Sequence, residues 1–331
     1  MKSHSIFTVV LVFFLLVFSL FAACDQPTDN SPVPSSNLVP GKNLSAKIQW
    51  LDTNVESDSS YTIEVTSNES IDPITLFYSG KDNVTVTIKG VKASRTISLN
   101  TNGSMFIVGS GVTLILDNNL ELKGRSDNSG SLISVYSGAN LILNSGARVT
   151  NNTRYNNRSS YGGGVYVSSG TFTMKGGKIS GNSSDSSGSL ASLFSYGGGV
   201  YVYGGTFIMS GGEISGNPCF ASGSILSSGN GGGVYVSIGG TFTMSGGGIS
   251  SNTADNGGGV YVSSGTFVSV KLSSKNVPGK EIFPVSGGFG KRCFFKYGHQ
   301  ILKRNEAVLL GCLNEGEHAT GTFGAYWALI E

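Results

Sequence analysis

The stretch GGGVYVSSGTFTMKGGKISGN at residues 162–182 returns as GGGVYVYGGTFIMSGGEISGN at 197–217, as GGGVYVSIGGTFTMSGGGISSN at 231–252 and as GGGVYVSSGTFV at 257–268. The starts lie 35, 34 and 26 residues apart, and the shortest interval lacks the Ser-rich insert carried by the first two. Within a unit, Val165 and Val167, then Phe172 and Met174, alternate with Tyr166 and Thr173. That is the period-two pattern of strands with one buried face. Ile179 begins a third short segment, and Asn182, Asn217 and Asn252 recur at one corner, where stacked amides could bond from one unit to the next.

The pattern starts before the obvious repeat. Phe106, Val108, Leu114, Leu116 and Leu122, and again Ile133, Val135, Leu141, Leu143 and Val149, occupy the same apolar positions without the triple glycine, and 61–65 and 84–88 read as earlier strands. Three short strands per unit cannot close a core alone, but stacked units bury one continuous column. The expectation is an all-β chain, a right-handed parallel β-helix (solenoid) of roughly seven coils, about 30 to 35 Å long at roughly 4.8 Å per coil. An open end exposes strand edges and calls for a cap. Leu44, Ile48, Leu51 and Val55 fall on one face of a short helix, so an N-terminal helical cap is expected.

Composition excludes several classes. Of 331 residues 49 are Gly, twice the usual share of about 7%. These glycines cluster instead of recurring every third residue, which rules out collagen. A net charge of +2 is too small for a charge-built phosphate-binding surface, so nucleic acid is not an expected partner.

The chain opens with Lys2 and His4 and then an apolar run at 6–21, 16 residues long, shorter than the about 20 a membrane span needs. It ends in Leu20-Phe21-Ala22-Ala23-Cys24, small residues before a Cys, as a signal peptidase requires. This end resembles a bacterial lipobox, with Phe21 where Leu, Val or Ile is commoner. The resemblance implies a signal peptide at 1–23 and a mature chain that starts at an acylated, palmitate-bearing Cys24; the alternative is an ordinary signal peptide cut nearby. A diacylglycerol with an amide-linked chain gives the two-signal anchor that stable attachment needs. Four of the eight prolines (Pro27, Pro32, Pro34, Pro40) lie in 24–43, which reads as a flexible tether to the repeats at 44–268.

The GGGVYV and TFTMSGGxISGN motifs resemble the Gly-rich β-helix repeats of bacterial surface lipoproteins, and are similar to the GGA(I/L/V) and FxxN repeats of polymorphic outer-membrane proteins. The resemblance spans about residues 45–268 and implies a lipid-anchored setting in the bacterial envelope, at the outer membrane or cell surface. Members of the second group carry a C-terminal transporter barrel; the 63 residues after Val268 show no alternating ten-residue strands.

Chemistry is sparse. Parallel β-helices that cleave polysaccharides use clustered acids, yet residues 160–268 hold as acids only Asp185, Glu213 and Asp255, and as bases only Lys175 and Lys178. Lys178 and Glu213 are expected side by side on the outer wall, as a surface ion pair. No catalytic residue, metal site or cofactor is assigned. Tyr166, Tyr201, Tyr235 and Tyr261 each sit between two inward valines and should form a ladder. It reads either as a flat aromatic track for sugar rings or peptide, or as coil-to-coil stacking that stabilises the sheet. The inserts at 183–196 and 218–230 read as loops from one corner carrying Leu190, Leu193, Phe194, Phe220, Ile225 and Leu226, which either fold back on the wall or meet a partner.

After Val268 the repeat stops within a strand. Thirteen of the residues at 269–331 are charged, against 5 of the preceding 109. This atypical segment reads either as a cap or small domain or as a shifted reading frame. Cys293, His299, Cys312 and His318 match no common structural zinc spacing. Export favours a Cys293–Cys312 disulfide, with Cys219 left over. The functional expectation is a non-enzymatic surface lipoprotein for adhesion or host contact, held by its lipid and facing a glycan or host matrix protein. The alternatives are a β-helix polysaccharide lyase or glycoside hydrolase, and a purely structural envelope protein.

Overall fold

Alternation becomes strand, and each strand pairs with its counterpart one unit later. The computed structural model describes residues 36–188, 192–223 and 226–269, with short backbone segments at 285–288, 291–293 and 312–314. The described residues are mostly β, with one helix. A first wall stacks Ser60–Val65, Val84–Gly90, Val112–Leu116, Asn140–Leu143, Thr171–Met174, the opening parts of Thr206–Ser215 and Thr241–Ala254, and Thr266–Ser269. A second stacks Glu69–Ile71, Arg95–Leu99, Leu120–Lys123, Ala147–Thr150, Lys178–Ser180 and the later parts of the two long strands. The third stacks Ile74–Leu76, Phe106–Val108, Ile133–Val135, Val165–Ser168, Val200–Tyr203, Val234–Val236 and Val260–Val262. Every pairing in these walls is parallel, an arrangement compatible with a parallel β-solenoid.

The inward residues are those the alternation selects. Val200, Val202, Phe207, Met209 and Ile214 are all 0% exposed, and burying each such side chain contributes about 1.5–3 kcal/mol. Phe172, Phe207, Phe242 and Phe267 form one file of rings with centroids 4.6, 4.6 and 4.8 Å apart. The strand spacing imposes that separation, because each ring hangs from the same register position.

The triple glycines mark where successive coils approach too closely for side chains. A Cβ on Gly163 would lie 2.4 Å from the Gly198 carbonyl oxygen, and one on Gly198 2.6 Å from that of Gly232. The glycine before each of these turns left-handed, with φ of +70° at Gly162 and +65° at Gly197.

Helix α1 (Leu44–Asn54) is N-capped by Asn43, whose Oδ1 accepts from the Ala46 N–H at 2.9 Å. Leu44, Ile48, Leu51 and Val55 all join the common core. The chain enters the stack earlier than expected. Ser36–Leu38, inside the span read as tether, already pairs in parallel with residues 60–62, and Val39 is buried. Its apolar side chain finds a place in the core that proline content alone did not reveal.

The inserts are not loops. Ser183–Ser187 and Pro218–Ser222 continue a parallel stack begun by Thr153–Asn156, while Ser192–Tyr196 and Leu226–Asn230 stack on Ser160–Tyr161. Small side chains make this side arm possible: Ser184, Ser186 and Ser195 are buried, and Ser195 Oγ donates to Ser186 Oγ at 2.8 Å. Leu193 and Cys219 fill its interior. Leu190, Ile225 and the side chain of Leu226 lie outside the described residues.

Candidate functional site

The third wall presents its tyrosines outward. Register places Tyr166, Tyr201, Tyr235 and Tyr261 opposite one another in successive strands. Their rings stack with centroids 5.4, 5.3 and 5.5 Å apart and planes within 28° of parallel. At one end Tyr136 meets Tyr166 edge-on, centroids 6.5 Å apart.

A second file leans on this ladder. Tyr161 and Tyr196 pair in register in the side arm, and their rings stack at 5.4 Å. Tyr161 lies 5.5 Å from Tyr201, and Tyr196 lies 4.7 Å from Tyr235. Phe194 packs 6.3 Å from Tyr196 and extends the patch. Phe220 stands elsewhere, in register with Asp185 and 47% exposed. The second file went unread in the sequence. Its signal was a Tyr directly before the triple glycine in two units, replaced by Asn230 and Asn256 in the next two.

This file changes what the ladder can offer. Tyr201 and Tyr235 are each only 6% exposed, while Tyr136 and Tyr203 are 43% and 44% exposed. The flat track, one of the two readings of the ladder, is therefore roofed in its middle, and rings remain open mainly at its margins. Burial pushes the phenols of Tyr201 and Tyr235 above their usual range, with neighbouring phenols adding to it. Tyr196 is pushed up to about 12 for the same reasons.

Arg154 closes one end. Its guanidinium carbon lies 5.8 Å from the Tyr161 ring centroid and 5.9 Å from that of Tyr166. Nη1 donates to Ser131 Oγ at 3.0 Å and to the Tyr161 carbonyl oxygen. None of the ion pairs among the described residues includes Arg154.

The candidate acids stand apart. Lys178 Nζ lies 3.2 Å from both oxygens of Glu213, in register on the second wall, and hydrogen bonds from Ser215 and Lys178 hold the Glu213 carboxyl below its usual range. Asp255 accepts from the Gly229 N–H at 2.7 Å. Burial raises Asp185. Among the described residues no three of His, Cys, Asp and Glu gather as a metal site. Cys293 and Cys312 are backbone register partners in an antiparallel pair, Lys291–Cys293 with Cys312–Asn314. Cys24, His299 and His318 lie outside the described residues.

Scans against family models, curated proteins and solved structures each return no match to this chain.

Proposed function

We propose that this chain is a lipid-anchored protein of the bacterial envelope, exposed at the outer membrane or cell surface, that binds glycan or host matrix protein without catalysis. The observation that carries this reading is the aromatic wall: two stacked files of tyrosine with exposed rings at their margins. Rings borne by paired strands are pre-positioned, so little side-chain freedom is lost when a ligand docks. In the same reading the coils wind as a right-handed parallel β-helix, α1 caps the first coil, and Cys24 carries the acyl chains. The two files add about 0.2–1 kcal/mol per cross-strand pair to the sheet, so stacking and binding share the same residues.

Intact cells treated with protease and probed by antibody should lose the repeats, and Cys24→Ser should release the protein from membranes. The full chain in detergent should retain particular glycans or matrix proteins in a binding screen, with no product release in the same wells. Protection from protease on intact cells, or turnover abolished by Glu213→Gln or Asp255→Asn, would overturn the reading.

A further inference from the structure

Arg154 is a cation short of partners. Its Nη1 is committed to Ser131 and to the Tyr161 backbone, its Nε is buried without a partner, and its Nη2 makes no hydrogen bond among the described residues. Burial works against its charge, while the nearby phenols of Tyr166, Tyr136 and Tyr161 favour it. A partly buried charge is ordinarily matched by a carboxylate, and among the described residues this one is not. Ser131, Tyr161 and Ser160, whose Oγ donates to the Arg154 carbonyl oxygen at 2.8 Å, hold the residue in place.

We propose that Arg154, with Tyr136, Tyr161 and Tyr166, forms an anion subsite at the end of the tyrosine wall that receives the carboxylate of an acidic sugar. The inference rests on the wall being a binding surface and names what that surface selects. A carboxylate on Nη2 makes a charge-assisted hydrogen bond where the protein leaves a donor open, and such bonds are about twice as strong as neutral ones. The group bearing it then lies beside phenol rings. Tyr136, 43% exposed and edge-on to Tyr166, offers the open ring. A pyranose carrying a carboxylate meets both demands. A free inorganic anion meets only the first.

The test uses the full chain in detergent micelles and three probes: a hexamer of galacturonate, the same hexamer with its carboxyls reduced to alcohols, and a hexaglutamate peptide. The galacturonate should bind at least tenfold more tightly than its reduced form, a gap that narrows with added salt. Arg154→Gln should erase the gap, and Arg154→Lys should restore part of it. Tyr136→Ala, at an exposed position, should weaken both sugars, which keeps the inference testable if Arg154→Gln fails to fold. Equal binding of the two sugars, or discrimination that survives Arg154→Gln, would overturn the subsite while leaving the wall intact. Hexaglutamate bound as tightly as galacturonate would overturn the sugar assignment. Binding of none of the three would overturn the subsite, while the separate screen of glycans and matrix proteins decides the wall.

Discussion

Asn217 Oδ1 accepts from Asn182 twice, from the backbone N–H at 2.9 Å and from the side-chain Nδ2 at 3.2 Å, and both residues are 0% exposed. Asn217 in turn donates its backbone N–H and its Nδ2 to Asn252 Oδ1, at 2.9 Å in each case, and its Nδ2 also donates to the carbonyls of Ile179 and Ser215. One buried amide thus satisfies several backbone groups at the corner. The file continues to Asn152, whose N–H donates to Asn182 Oδ1.

Removing one member should strand donors and acceptors in the interior. Asn217→Ala is expected to lower unfolding free energy by about 3 kcal/mol, since one unsatisfied buried group costs about 1–3. Asn157→Ala, at an exposed position, should change it by less than about 0.5. Urea titration followed by circular dichroism measures both, and equal effects would remove the ladder from the stability account.

Phe207→Ala opens a gap in the ring file between Phe172 and Phe242. The cost should be about 3–5 kcal/mol. Thr173→Ala, on the outer face of the same wall, should cost less than about 1. Comparable midpoints for the two variants would contradict the assignment of inner and outer faces.

Alkaline titration should single out the tyrosine wall. Tyr196 titrates near 12 in the folded chain against 10.0 for a free phenol, chiefly because burial disfavours the phenolate. Its folded value is raised, so the associated stability is fully present below pH 10.0, declines above it and is lost as pH passes through about 12. Phenolate absorbance should show a late-titrating group that moves to the free value in urea. A single transition at the free value in the folded protein would contradict the packing.

Cysteine accounting tests the C-terminal pair. Cys219 is fully buried with its thiol pushed up by burial, so it should resist thiol reagents in the folded state. In guanidinium without reductant, the Cys24→Ser chain should show one reactive thiol, and after reduction three, because Cys293 and Cys312 occupy paired register positions of two antiparallel strands. Three thiols before reduction would show that the pair is open.

What the sequence determined by itself was local and periodic. Val165 and Val167 flanking Tyr166, with Phe172 and Met174 after them, already specify which faces turn inward, because a strand's side chains alternate whatever surrounds it. The triple glycines and recurring asparagines likewise mark corners, since a close backbone approach and an orphaned amide each demand a particular residue type. The tertiary structure alone decided where outward residues end up. Tyr161 and Tyr201 are 40 positions apart, and their meeting at 5.5 Å depends on the path of a whole coil. Ser184 and Ser195 look like loop residues in sequence, yet they are buried once neighbouring arms stack. Arg154 looks like any surface cation until the fold sets it near two phenol rings, with no carboxylate paired to it among the described residues. Burial and charge pairing sum over all neighbours in space, and no window of sequence contains those neighbours.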